Sequence, residues 1–149
     1  MPNCLKLLPS LRLLVPMATI GLIVASSTAF AAQELKMVEH ATTDAVTDTG
    51  ASGHILSFAN EVYDADDKNK IGTDQGICFR TVPGKAWECF WTLSLDKGQL
   101  TVEGPFYDSG DSVLAITGGT GEFAGALGEM ALSARGTKGD AYNFVYRIK

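Results

Sequence analysis

Residues 102–130 read VEGPFYDSGDSVLAITGGTGEFAGALGEM, and the punctuation of this stretch decides the fold class. Two short apolar runs, Gln99 to Phe106 and Ser112 to Thr117, are separated by the turn Asp108-Ser109-Gly110-Asp111, and a glycine-dense turn leads into a third run, Ala126 to Arg135. Each run is too brief for a stable helix and is bounded by Gly and Asp, so the order is strand, turn, strand, turn, strand.

Upstream, ELKMVEHATT alternates from Glu34 and predicts a first strand, with Leu35, Met37, Glu39 and Ala41 on one side. The polar stretch Thr43 to Ser52 has no periodicity and is expected to be a loop. Further strands are predicted over Gly53 to Val62, Ile71 to Val82 and Ala86 to Leu95, and a last one over Tyr142 to Ile148. The sum is an all-β chain of eight strands and no helix, with the turn spacing of an antiparallel barrel or sandwich. A closed barrel of eight strands holds packed side chains or one small ligand.

The N-terminus reads differently. Lys6 and Arg12 precede the apolar run Leu13 to Val24, and Ala29-Phe30-Ala31 supplies small residues at a cleavage point. Residues 1–31 are therefore expected to be a secretory signal peptide, and residues 32–149 one exported domain, periplasmic or extracellular. The apolar run falls short of the roughly 20 residues of a membrane span, so no spanning segment is expected. Removing Lys6 and Arg12 leaves 10 basic against 17 acidic residues, a net charge of −7. That balance, without a basic cluster, excludes nucleic acid as a partner.

The hairpin around Val82-Pro83-Gly84-Lys85 allows a register to be written down. A four-residue loop symmetric about Pro83-Gly84, closed by Thr81 and Ala86, makes residues whose numbers sum to 167 face each other. Cys78 then faces Cys89 at a non-hydrogen-bonded position, where side chains approach closest, and Arg80 faces Trp87. Two cysteines so placed in an exported domain favour a disulfide; the alternative is a pair of buried thiols. Cys78, Trp87, Cys89, Trp91 and Leu93 share one face, while Ile77, Phe79 and Phe90 share the other. Both faces are apolar, so one lines an interior and the other calls for a second layer or a homo-oligomer, a dimer or trimer.

Two motifs lead nowhere. Gly119-Thr120-Gly121-Glu122-Phe123-Ala124 fits a loose dinucleotide pattern, but the glycines that follow deny the helix whose N-terminus would hold a phosphate. His40 and His54 fall on different strands with no ligand spacing, so neither a metal nor another cofactor is expected.

The run DSVLAITGGTGEFAGALGEM, with QLTVEGPF before it and GHILSFAN and GTDQGICF upstream, resembles the core signature of the allene oxide cyclase family, whose barrel is related to that of plant dirigent proteins. The resemblance covers most of the chain from Gly53 onward. It implies a cavity lined by Leu56, Phe58 and Cys78, with an aromatic wall at Trp87, an asparagine at Asn60 that helps hold a water, and a floor glutamate at Glu39 that steers charge. Trp91 joins the wall by alternation. A carboxylate in an apolar barrel has a raised pKa unless paired, and so suits acid, base or electrostatic work. The bland alternative for Glu39 is a solvated, outward strand residue. The sequence also departs from the family: its cavity tyrosine falls on Phe106, and the asparagine two residues after the floor glutamate is replaced by Ala41. The expectation is an exported barrel that binds a small apolar or lipid-derived molecule, as an isomerase or cyclase, or as a non-catalytic scaffold.

Overall fold

The computed structural model describes residues 32–42, 44–46 and 52–149; the expected signal peptide lies outside the described residues. Among the described residues there are nine strands: β1 (Gln33–His40), β2 (Asp44–Val46), β3 (Ile55–Asp64), β4 (Lys70–Val82), β5 (Ala86–Leu95), β6 (Gly98–Tyr107), β7 (Ser112–Gly119), β8 (Gly128–Ala134) and β9 (Ala141–Ile148). All pairings are antiparallel in the order β1-β9-β8-β7-β6-β5-β4-β3, and β1 pairs with β3 to close the ring. Eight long strands thus form the expected barrel, which leaves its main ladder without an open edge.

Three details differ from the sequence expectation. Part of the expected loop is the short strand β2, which adds to β3 opposite Leu56 to Phe58. The expectation of no helix gives way to a single 3-10 turn at Gly121–Phe123. In the hairpin after β4, Val82 rather than Thr81 pairs with Ala86, and Thr81 is the extra residue of a bulge. The loop is therefore one residue shorter than expected. The bulge absorbs that residue on the turn side of Arg80, so Arg80 still faces Trp87 and Cys78 still faces Cys89.

Alternation divides every strand between water and interior. Inward residues fall in rows that follow the ladder across β3, β4, β5 and β6. From one end of the barrel to the other these are Leu56, Cys78, Cys89 and Gly104; then Phe58, Gly76, Trp91 and Val102; then Asn60, Asp74, Leu93 and Leu100. Leu93, Leu100, Ile116, Met130 and Ile148 pack toward the end that carries the β5–β6 turn.

The glycine-dense segment closes that end. Thr120 N–H donates to Gln99 O at 2.9 Å and Glu122 N–H to Lys97 O at 2.9 Å, which folds the 3-10 turn back onto the β5–β6 turn. The backbones meet so closely that a Cβ on Gly98, which also has a φ of +144°, would run into the Thr120 carbonyl. Phe123 is thereby driven into the core as a plug. Phe123→Ala should cost about 3–5 kcal/mol in a urea titration, the usual range for emptying a buried aromatic site. A loss below about 1 kcal/mol would mean that the turn caps the barrel without sealing it.

Candidate functional site

The opposite half of the barrel is not filled. A cavity of about 60 Å³ lies there, lined by Glu39, Ala41, Leu56, Phe58, Asn60, Cys78, Cys89, Trp91, Phe106, Leu132 and Tyr142. Phe106, Leu132 and Tyr142 also border an outer vestibule of about 190 Å³ against the β8–β9 turn. The site is therefore an inner chamber with a mouth.

Glu39 reaches it because β1 alternates Met37, Glu39 inward and because β1 lies between β9 and β3, opposite Tyr142 on one and Val62 on the other. Glu39 is only 4% exposed. Asn60 Nδ2 donates to Glu39 Oε1 at 2.5 Å, while Asn60 Oδ1 accepts from the Thr42 backbone N–H at 2.9 Å. The second bond fixes the amide, so its NH2 must face the carboxylate. A charge-bearing pair is thus held in one orientation inside an otherwise largely apolar chamber.

The aromatic wall depends on one glycine. Gly76 stands between Phe58 and Trp91 in the same row, and a Cβ there would collide with the Trp91 Cβ and press on the Phe58 ring. With no side chain in the way, Phe58 and Trp91 meet edge to face at 5.9 Å. Trp91 also stacks on Phe144 at 5.9 Å, and its indole N–H points to the Tyr146 hydroxyl at 3.4 Å. Tyr146 is completely buried. Desolvation pushes its pKa well up, the Trp91 hydrogen bond opposes this, and the charges of Asp74 and Glu39 push it further up.

Cys78 and Cys89 are joined in a disulfide, with Cα atoms 4.1 Å apart, and the bridge forms part of the chamber wall. Closing a loop of this size, 11 residues apart in sequence, is worth about 2–3 kcal/mol. Reduction should lower the unfolding free energy by that amount in a urea titration, and an unchanged midpoint would mean that no bridge forms in solution.

Of the residues singled out by the sequence, Glu39, Leu56, Phe58, Asn60, Cys78, Trp91 and Phe106 come together around the chamber. Trp87 does not. It is buried one row nearer the mouth, under the Arg80 guanidinium at 3.9 Å, and Arg80 Nη1 bonds both carboxylate oxygens of Asp108 at 2.7 and 2.6 Å. This ion pair ties the β4 end to the β6–β7 turn. Sequence reasoning also missed Tyr142 and Asp74. Tyr142 packs edge to face on Phe106 at 5.9 Å, and its hydroxyl donates to the Gly139 carbonyl at 3.3 Å on the rim of the vestibule. Asp74 was legible, since it lies in the strand expected over Ile71 to Val82 and the same alternation that turns Cys78 inward also turns Asp74 and Gly76 inward.

Fold and site together define a closed antiparallel barrel with a small, partly aromatic chamber at one end. The family signature described as allene oxide cyclase matches residues 32–136, more than half of the chain, and the protein belongs to that family. Solved structures agree. A pyocyanin demethylase is 27% identical with a TM-score of 0.65, over 75% of this chain and 98% of that one. AbnU, an exo-specific intermolecular Diels-Alderase, is 13% identical with a TM-score of 0.67, over 80% and 98%. The pterocarpan synthase dirigent protein PsPTS1 is 16% identical with a TM-score of 0.65, over 79% and 93%. The last two likenesses are of fold.

Proposed function

We propose that this barrel is an exported isomerase or cyclase that binds a small, largely apolar molecule, folds it against Phe58, Trp91 and Phe106, and steers developing charge with Glu39 and Asn60. The observation that carries this reading is the oriented Glu39–Asn60 pair inside an aromatic chamber. Such a site works by confinement and by fixed dipoles rather than by a nucleophile. The chamber admits only the reacting portion of a metabolite, and the vestibule takes the rest. Membership of the family, and the likeness to an enzyme at 27% identity, support catalysis.

A second reading, a non-catalytic carrier or dirigent-like scaffold, is favoured by the disulfide in the chamber wall, which makes a structural strut of two sulfurs that could otherwise react. The same bridge supports export, since disulfides persist in oxidising compartments. Ile55, Phe79 and Phe90 leave an apolar stripe on the outer face of β3 to β5, with Phe90 51% exposed, and this supports a dimer or trimer.

Native mass spectrometry of the protein recovered from its own host, followed by incubation with an apolar metabolite extract, tests these readings. The expected spectrum shows chains that begin at Ala32, two or three per particle, with a small molecule retained. Glu39→Gln should still bind it while its conversion falls about 100-fold or more, the usual loss when an oriented electrostatic group is removed. Binding without conversion in either form would select the carrier reading. An empty, inert barrel would remove both.

A further inference from the structure

The disulfide stands where a ligand would touch it. Cys78 and Cys89 both line the chamber, and at 2% and 1% exposure they are closed off from the outer face, so the route from solvent to their sulfurs runs through the vestibule and the chamber. Both side chains leave their strands on the inner face, directly opposed in the β4–β5 ladder, with Leu56 beside Cys78 and Gly104 beside Cys89. In the next row Gly76 and Trp91 are packed so closely that a Cβ on Gly76 would collide with the Trp91 Cβ and press on the Phe58 ring. That row leaves no room, and the free space adjoining the sulfurs is the chamber itself.

Breaking the bridge changes the space that the two sulfurs need. Two bonded sulfurs sit well inside van der Waals contact, whereas two thiols must separate to it, and each carries a hydrogen. With the sheet behind them and the aromatic row beside them, they spread into a chamber of only about 60 Å³. Strands β4 and β5 also lose their tie next to the row that positions Trp91 against Phe58. Close-packed interiors respond to volume changes as small as one methylene, so the shape offered to a ligand differs between the two states.

We propose that the Cys78–Cys89 bridge is a redox switch for ligand binding: the bridged chamber holds its ligand, and a dithiol reductant releases it. The proposal rests on the reading that the cavity binds a ligand, and it applies to an enzyme and to a carrier alike. The step is thiol–disulfide exchange. A thiolate of the dithiol attacks one sulfur of the bridge, the S–S bond breaks, and the other sulfur leaves as a thiolate and takes up a proton. The second thiol of the reductant then displaces the first cysteine, which is protonated in turn, and the reductant departs as a disulfide. Two electrons and two protons have passed to Cys78 and Cys89. Ligand and reductant oppose each other twice over. An occupied chamber blocks the approach to the sulfurs, and by linkage a ligand that prefers the bridged form resists reduction by the same factor by which reduction weakens its binding.

Ethylbenzene serves as the probe, with a ring for the vestibule and two carbons for the chamber. Its affinity is measured by calorimetry on the full chain, first bridged and then reduced with dithiothreitol. Near-ultraviolet circular dichroism follows the packing of the core, and alkylation with mass spectrometry counts the thiols. Reduction should weaken binding at least about fivefold, the lower end of ordinary coupling between two sites. In a buffer of reduced and oxidised dithiothreitol, saturating ethylbenzene should lower the ratio of reduced to bridged protein by the same factor. The double variant Cys78→Ala, Cys89→Ala should bind ethylbenzene equally with and without dithiothreitol. If the probe binds bridged and reduced protein alike, or if the double variant still responds to dithiothreitol, the proposal is wrong while the cavity still binds ligands. If reduction abolishes the near-ultraviolet signal, the bridge is a strut rather than a switch, and the proposal is equally wrong. If ethylbenzene does not bind the bridged protein, the ligand reading falls and takes this proposal with it.

Discussion

The pairing of β1 with β3 is the constraint on which the rest of the molecule depends. Four residue pairs, from Met37 with Asp64 to His40 with Glu61, convert an eight-stranded sheet into a ring. In an open sheet the inward residues would share one broad face, and Glu39 on β1 would lie at the far edge from Asn60 on β3. Closure brings them within a hydrogen bond. It also takes Glu39 out of water, which is what gives its charge leverage on anything that enters. The seam that completes the fold is therefore also the seam that assembles the site.

The ring then divides its interior by side-chain volume. Toward the β5–β6 turn, Leu and Met side chains and the Phe123 plug leave no chamber; toward the β4–β5 turn, Gly76 and Gly104 stand in the inward rows and leave room. Gly76 removes bulk where Phe58 and Trp91 need to meet, so the aromatic wall is bought by a residue that contributes no surface of its own. The disulfide beside it fixes the two central strands of the chamber at close spacing. Rigid walls of this kind suit a site that acts by holding a molecule in one shape.

Much of this was written in the sequence, for identifiable reasons. Period-two alternation and Gly-Asp punctuation place the strands because they depend on neighbours in sequence alone. The Cys78–Cys89 pairing was legible because a short hairpin links local turn chemistry to register, and it survived an incorrect loop length only because the Thr81 bulge supplied the missing residue. What stayed hidden depends on contacts between distant strands. Tyr142 reaches the mouth through the β1–β9 ladder, and Arg80 finds Asp108 across two turns; neither pairing leaves a trace in local composition. Trp87 shares a face with Trp91, yet Arg80 covers it, so facing inward was not the same as facing the chamber.

The central claim is that chemistry or recognition happens at the Glu39–Asn60 pair inside the chamber. The most direct measurement is a crystal structure of the protein bound to the molecule it retains from its host. The account predicts that molecule inserted past Phe106 and Tyr142, with an atom in contact with Glu39 or Asn60 and its body against Phe58 and Trp91. A molecule seated on the outer face of β3 to β5, with the chamber empty, would contradict it.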